Sequence, residues 1–512
     1  METRTQKSLL NAKVNAICWL AALVVSFFSR KILLDNLGVE FMGLSGTLGS
    51  ILTFLNVAEF GIGTVISVVL YKPLFDNNRS SIQEIVSVLG YLYRCIGLFI
   101  LSAGVITSFF LPVIFSNTNF DWLTIYFGFY AFLCSSLIGY FVNYRSVLLS
   151  ADQRNYVVAG YFQIANTIKS CMQMAFAIYY QSFIIYFGLE LLFGILCAWL
   201  LNKKINQTYP WLKSEVKQGR GLLNKYPDIK TKVKQIFIHH SVGIVLYKSM
   251  PLMVYSFLSL PMVAIYSNYM LVVSQIENLL STILDGTSAS IGNLIAEGDR
   301  ENTFNVYQQL FSLRFYCSAI FAACIFFLLT DFITLWLGNE FHLSLWILSL
   351  MTFQMFLLMV RKVTDQFIDG YGLFQDVWSP VIEVFILLSV AILCGIKWKL
   401  AGLLLGPIVS TILVIYLWKP YFLFRRGFHL PVRWFVWMFT KHTLALIVSV
   451  AAVYGIMLLT DTSIVSPSIT WGSWLIKAST FTLSLAVILF IAQYILTSST
   501  RTLVARWFKN NS

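Results

Sequence analysis

Of the 512 residues, 58% are hydrophobic and only 12% charged, about half the charged fraction of a soluble globular chain. That composition excludes an ordinary soluble enzyme and points to a polytopic membrane protein. The net charge of +13 has two readings, nucleic-acid binding or membrane topology. Because the Lys and Arg residues are scattered over short segments between apolar runs, with no recognisable nucleic-acid-binding fold, topology is the better reading and no nucleic-acid partner is expected.

About fourteen segments, each near the roughly twenty residues that cross the hydrocarbon, are predicted in chain order. Their limits are 12–33, 43–71, 83–111, 121–149, 156–180, 182–201, 236–258, 262–294, 304–329, 340–368, 378–396, 399–419, 438–459 and 471–496. The first runs past signal-peptide length without a small-residue cleavage site, so it reads as a retained span. Arg4, Lys7, Lys13, Lys72, Arg79, Arg154, the basic run from Lys203 to Lys234, Arg300, Arg425 and Arg506 fall on one side of this arrangement. The opposite loops hold mainly Asp121, Asp331, Glu340 and Asp461, with Lys397 and Lys399. The positive-inside bias then expects both termini in the cytoplasm.

The chain repeats itself. Residues 37–79 recur without a gap as 258–300, an offset of 221 that also carries Asn119-Phe120-Asp121 onto Glu340-Phe341-His342. Two homologous halves in a membrane are the usual plan of a transporter, with the substrate path between them. The expected organisation is all-α: a six-helix bundle over 1–201, a basic cytoplasmic linker at 202–235, a second six-helix bundle over 236–420, and two further transmembrane helices with a cytoplasmic tail at 421–512. Within the linker, 215–235 reads as either a surface helix on anionic lipid or a solvated tether.

Rare polar residues at helical spacing mark faces that meet lipid only at a cost. Asn15, Ser26 and Arg30 share one face of the first span, and Asn56, Glu59, Gly63 and Ser67 one face of the second. Ser267, Ser274, Asn278 and Asp285 do so in the eighth. Weaker stripes are Asn166, Lys169 and Gln173 in the fifth span, Ser241, Lys248 and Tyr255 in the seventh, and Gln354, Arg361 and Asp365 in the tenth. These faces are expected to converge on a hydrated cavity or on one another.

Arg30 and Lys31 lie deep in an apolar run, where a charge costs at least about 2.5–3.5 kcal/mol. Snorkelling to the head groups is one reading; an anion site is the other. Arg30 aligns with Pro251 across the repeat, and Lys248 lies one helical turn before it, so Arg30, Lys31 and Lys248 are candidates for holding a phosphate or diphosphate. Glu59, Glu277 and Asp285 are candidates for neutralising these cations or carrying a coupling ion. Arg145, Arg361, Lys362, Asp365 and Asp369 are expected at the cytoplasmic interface. Pro251, placed in the middle of the seventh span, is a candidate gating hinge. All eight cysteines fall in apolar spans without zinc-ligand or CxxC spacing, and His239-His240 lack further ligands at ligand spacing. Neither a metal site nor a cofactor is expected.

With these residues in view, Arg30-Lys31-Ile32-Leu33-Leu34-Asp35-Asn36-Leu37-Gly38-Val39-Glu40-Phe41-Met42-Gly43-Leu44, then Ala58-Glu59-Phe60-Gly61-Ile62-Gly63 and Leu70-Tyr71-Lys72-Pro73-Leu74, resemble the opening of the bacterial polysaccharide transporter family, the Wzx-type flippases of the multidrug/oligosaccharidyl-lipid/polysaccharide exporter superfamily. Ile265-Tyr266-Ser267-Asn268-Tyr269 fits the same family, and the resemblance covers roughly 10–420. It implies two six-helix bundles in a V and no enzymatic activity. It also implies transfer of undecaprenyl-diphosphate-linked oligosaccharide across the bacterial cytoplasmic membrane, for O-antigen, capsule or exopolysaccharide. Partners suggested by it, besides substrate and membrane lipids, are a polysaccharide polymerase and a chain-length regulator. The related lipid II flippases also carry arginine on the first helix, but Gly38-Val39-Glu40-Phe41 lacks their aspartate-and-aromatic signature. Two other readings compete. A multidrug or organic-cation antiporter of the same superfamily would favour acidic cavity residues, and a membrane glycosyltransferase or polymerase would need a sizeable outward loop.

Overall fold

A computed structural model describes residues 4–511 apart from 57–61, 153, 227–228, 230–248, 285–290, 293, 296, 374–375, 377 and 460–469. The described residues are overwhelmingly helical. Two compact units divide the chain, Met1–Ala264 and Ile265–Ser512.

The first unit contains α1 (Arg4–Leu37), α2 (Val39–Leu55), α3 (Ile62–Phe75), α4 (Arg79–Ile114), α5 (Trp122–Phe141), the short α6 (Ser146–Ala151), α7 (Asn155–Tyr180), α8 (Phe183–Thr208) and α9 (Met250–Phe257). Helix α10 (Leu260–Leu284) begins there. The second unit contains α11 (Arg300–Leu337), α12 (Leu345–Gly370), α13 (Trp378–Ser410), α14 (Arg433–Leu459), α15 (Trp471–Leu496) and α16 (Ser498–Asn511). Helix α13 continues through a π-helical stretch, Thr411–Trp418, towards Phe428.

Among the described residues, eight helices are long and apolar enough to cross a membrane, which makes this a multi-pass membrane protein. Predicted spans 378–396 and 399–419 are two helices within Trp378–Phe428, which counts once among these eight; they meet at Lys399, whose φ is 49°. Helices α7 and α10 fall outside that set because their polar stripes dilute their hydropathy. The predicted span 43–71 is two helices, α2 and α3, and 121–149 is α5 followed by α6. Leu98, Phe99, Ile106, Phe109 and Val113 on α4 are exposed, as suits a surface solvated by lipid.

The repeat is visible in where helices begin. Val39 and Leu260 open α2 and α10, and Arg79 and Arg300 open α4 and α11; both pairs are 221 apart. The caps obey the same offset. The Asn78 side chain accepts from Ser81 N at 3.1 Å and that of Asp299 from Asn302 N at 3.0 Å, each satisfying an orphan donor of the first turn. In the first unit α1 packs on α7, and α8 packs on both α5 and α7. Gly43 of α2 comes so near α10 that a β-carbon would lie 2.0 Å from the Leu260 carbonyl oxygen.

The described part of the linker is neither a tether nor a surface helix. It docks on α4: Gln83 Nε2 donates to Trp211 O at 2.6 Å, Glu215 N donates to Ser87 Oγ at 3.0 Å, and Lys225 pairs with Glu84 at 2.7 Å. Val216 and Gly219 are buried, and a β-carbon on Gly219 would meet Ser87 O and Tyr91 Cβ, both at 2.5 Å. Burial and a hydrogen bond to the Glu84 carboxylate push the Tyr226 phenol up to about 12, so it remains a donor throughout the neutral range.

Candidate substrate chamber

A chamber of about 340 Å³ lies in the first unit between α1, α7 and α8. Two sequence stripes meet there. Ser26 and Arg30 line it from α1, and Asn166, Lys169 and Gln173 from α7. Their spacing is helical, and the α1–α7 contact turns the two polar faces towards each other. Arg30 Nη2 donates to Ala264 O at 3.0 Å, and the Ser26 hydroxyl folds back on Leu23 O at 2.7 Å. Lys169 Nζ pairs with Glu190 Oε1 at 2.9 Å, with side-chain exposures of 14% and 19%. Gln173 Nε2 donates to Tyr186 O at 3.2 Å. Because Lys169 and Glu190 neutralise each other, the chamber carries one formal positive charge, on Arg30. Its remaining lining includes Ser29, Thr167 and Ser170, hydroxyls that both donate and accept. Phe41, stacked on Phe183 at a centroid distance of 4.6 Å and edge-on to Tyr186 at 5.2 Å, packs against the Tyr186 wall.

Lys31 stands apart from this group. One residue further along α1 turns it by about 100°, to an exposed i,i+4 pair with Asp35 at 3.5 Å, so it does not share the chamber with Arg30. Lys248, Glu59 and Asp285 lie outside the described residues, as does the side chain of Asn15. Asn56 ties α2 to α5, its Oδ1 accepting from Ser136 Oγ at 2.8 Å and Tyr140 OH at 3.3 Å. Pro251 lies near the start of α9, and the 230–248 stretch before it lies outside the described residues, so the hinge expected there stands as a proposal.

In the second unit, Ser267 and Ser274 are half-buried and Asn278 is exposed, with Ser274 Oγ donating to Leu271 O at 3.1 Å. Half-buried Glu277 feels the charge of Lys362. Arg361 and Asp365, towards the C-terminal end of α12, are largely buried in a four-membered network. Arg361 Nε lies 3.0 Å from Asp365 Oδ2, Arg361 Nη1 3.5 Å from Glu383 Oε1, and Lys419 Nζ 3.0 Å from Asp365 Oδ1. Two cations and two anions balance, which explains why the group is tolerated away from water. Sequence reasoning passed over Glu190 and Glu383. The available signal was a lone carboxylate inside an apolar run, which demands a partner.

No protein-family model and no curated protein sequence matches the chain. Solved structures do. A lipid II flippase, MurJ, in an inward closed conformation superposes with a TM-score of 0.62 at 15% identity, over 95% of this chain and 99% of that one. An inward-facing multidrug-resistance MATE family transporter of the MOP superfamily gives 0.58 at 14% identity, over 78% of this chain and 93% of that one. A MOP superfamily transporter from Pyrococcus furiosus, described by the reversed polarity of its binding pocket, gives 0.51 at 13% identity, over 82% and 98%. At such identities the likeness speaks for the fold. The chain shares the all-helical fold of these three transporter structures.

Proposed function

We propose that this protein is a flippase for undecaprenyl-diphosphate-linked oligosaccharide, moving repeat units across the bacterial cytoplasmic membrane for surface polysaccharide synthesis. The observation that carries this reading is the chamber itself. A guanidinium, surrounded by hydroxyl and amide side chains, faces a cavity inside a membrane unit of exporter fold. Arg30 suits a diphosphate because its planar fork binds two oxygens at once, and the neighbouring polar groups suit sugar hydroxyls. An antiporter for organic cations would not favour a chamber whose net charge is positive. Lys248 remains a proposed second cation for the diphosphate, Glu59, Glu277 and Asp285 proposed coupling groups, and a polymerase with its chain-length regulator the proposed receivers of the product.

The test is surface polysaccharide in a strain lacking this gene and complemented at matched abundance. Losing one charge-assisted contact of about 1.5–3 kcal/mol, Arg30→Gln should cut export by about 10- to 100-fold, with lipid-linked oligosaccharide accumulating in the inner leaflet. Arg30→Lys should retain part of it. Normal polysaccharide from Arg30→Gln would overturn the reading.

A further inference from the structure

Three spaces in the first unit adjoin one another through shared walls. The chamber has Asn166, Lys169 and Glu190 in common with a cavity of about 110 Å³. That cavity shares Ala165, Phe193 and Cys197 with a groove of about 620 Å³ along α7 and α8. The sequence of spaces thus passes from a polar chamber, through a neck at the α7–α8 seam, to a groove on the other side of α7.

The groove is apolar. Exposed Ile164 and Ile168 of α7 face Leu196 and Leu200 of α8, and Lys204 charges one end. From Tyr156 to Ile168 the α7 wall rises about 18 Å at 1.5 Å per residue, a little more than half of the roughly 30 Å hydrocarbon thickness. Its length therefore matches one leaflet. By contrast the neck is polar: beside the Lys169–Glu190 pair, Asn143 is 6% exposed and its Oδ1 has no hydrogen-bond partner among the described residues. Such an oxygen asks for a donor from water or from a ligand.

We infer that the α7–α8 groove holds the hydrocarbon tail of the anionic amphiphile whose head group occupies the chamber, with the link between them crossing the seam at Lys169 and Glu190. This rests on the flippase reading. Charge complementarity selects the occupant, because Arg30 and Lys169 lie on the polar side and the apolar wall begins directly beyond the neck. A phosphate arriving at the seam meets Lys169 and Arg30 together, so Lys169 is shared between Glu190 and the phosphate while Arg30 supplies the second positive charge.

The experiment uses the full chain in phosphatidylcholine nanodiscs with a polyprenyl diphosphate bearing a diazirine in its tail. Adducts are mapped by mass spectrometry, and head-group binding is read separately as the thermal shift given by inorganic pyrophosphate. Adducts are expected within 156–168 and 193–204, falling at least fivefold in Arg30→Gln and in Ile164→Trp, which fills the groove at an exposed position. Pyrophosphate should still shift Ile164→Trp but not Arg30→Gln. Adducts elsewhere, or equal labelling of the groove by diazirine-tailed phosphatidylglycerol whatever stands at position 30, would overturn the tail placement in favour of an ordinary boundary lipid. A pyrophosphate shift without groove adducts would overturn it while leaving the chamber reading intact, whereas loss of both would remove the two together.

Discussion

Asp365→Ala is the sharpest test of the charge network in the second unit. Asp365 is the only member that touches both cations, at 3.0 Å from Arg361 Nε and 3.0 Å from Lys419 Nζ. Its removal leaves Glu383 as the remaining carboxylate of the network for two cations; Glu383 lies 3.5 Å from Arg361 and has a side chain only 5% exposed. Breaking a buried pair by deleting one partner costs about 3–5 kcal/mol. The cations are 12% and 18% exposed, so the low end, about 3 kcal/mol, applies. For a unit of this size that corresponds to a fall in melting temperature of roughly 6–12 °C, read by thermal unfolding of the purified protein in detergent. Lys31→Ala is the internal control: its partner Asp35 is half exposed, and such a pair contributes at most about 1 kcal/mol. A fall below about 2 °C for Asp365→Ala, or equal falls for the two variants, would refute the argument that burial distinguishes these pairs.

Three further outcomes follow from the geometry. Gly219→Leu places side-chain atoms where Ser87 O and Tyr91 already lie at 2.5 Å from a β-carbon, so it should release the linker from α4 and make residues 209–226 markedly more sensitive to limited proteolysis. Gly43→Val should destabilise the first unit by more than about 2 kcal/mol, since a β-carbon would overlap Leu260 O; thermal unfolding checks it. Cysteines placed at residues 220 and 505 should react only from the cytoplasm and those at 118 and 338 only from the periplasm, and periplasmic labelling of residue 220 would reverse the orientation.

Much of the helical frame was legible because apolar length and the repeat are one-dimensional signals. The offset of 221 anticipates the starts of α2 and α10, and of α4 and α11, because each start is set by a local cap or turn. The chamber was half legible. The stripes on α1 and α7 name its walls, but nothing in either stripe says that they face each other; that depends on which helices pack together. Lys31 does not join Arg30 in the chamber, because adjacency in sequence means separation by about 100° on a helix. The network of Arg361 and Asp365 was not legible, because hydropathy only places them near a helix end, while Glu383 comes from the next helix and Lys419 from beyond the kink at Lys399.

The repeat also shows how one scaffold was given two interiors. Asn56 and Tyr140, joined by a hydrogen bond in the first unit, correspond at the offset of 221 to Glu277 and Arg361 in the second, where each is drawn to other charges instead. Lys169 and Glu190 correspond to Val390 and Thr411, so the pair at the neck of the chamber has no counterpart at those positions. Conversely, Arg361 and Asp365 correspond to Tyr140 and Tyr144. Duplication preserves helix starts because they are fixed by backbone geometry. It leaves ionisable residues free to diverge, since in a membrane each is retained only where it finds a partner. In the first unit Lys169 and Glu190 take up each other beside Arg30, along one chamber. In the second, Arg361, Asp365, Glu383 and Lys419 close on one another, which makes the first unit the place to test the proposed substrate contact.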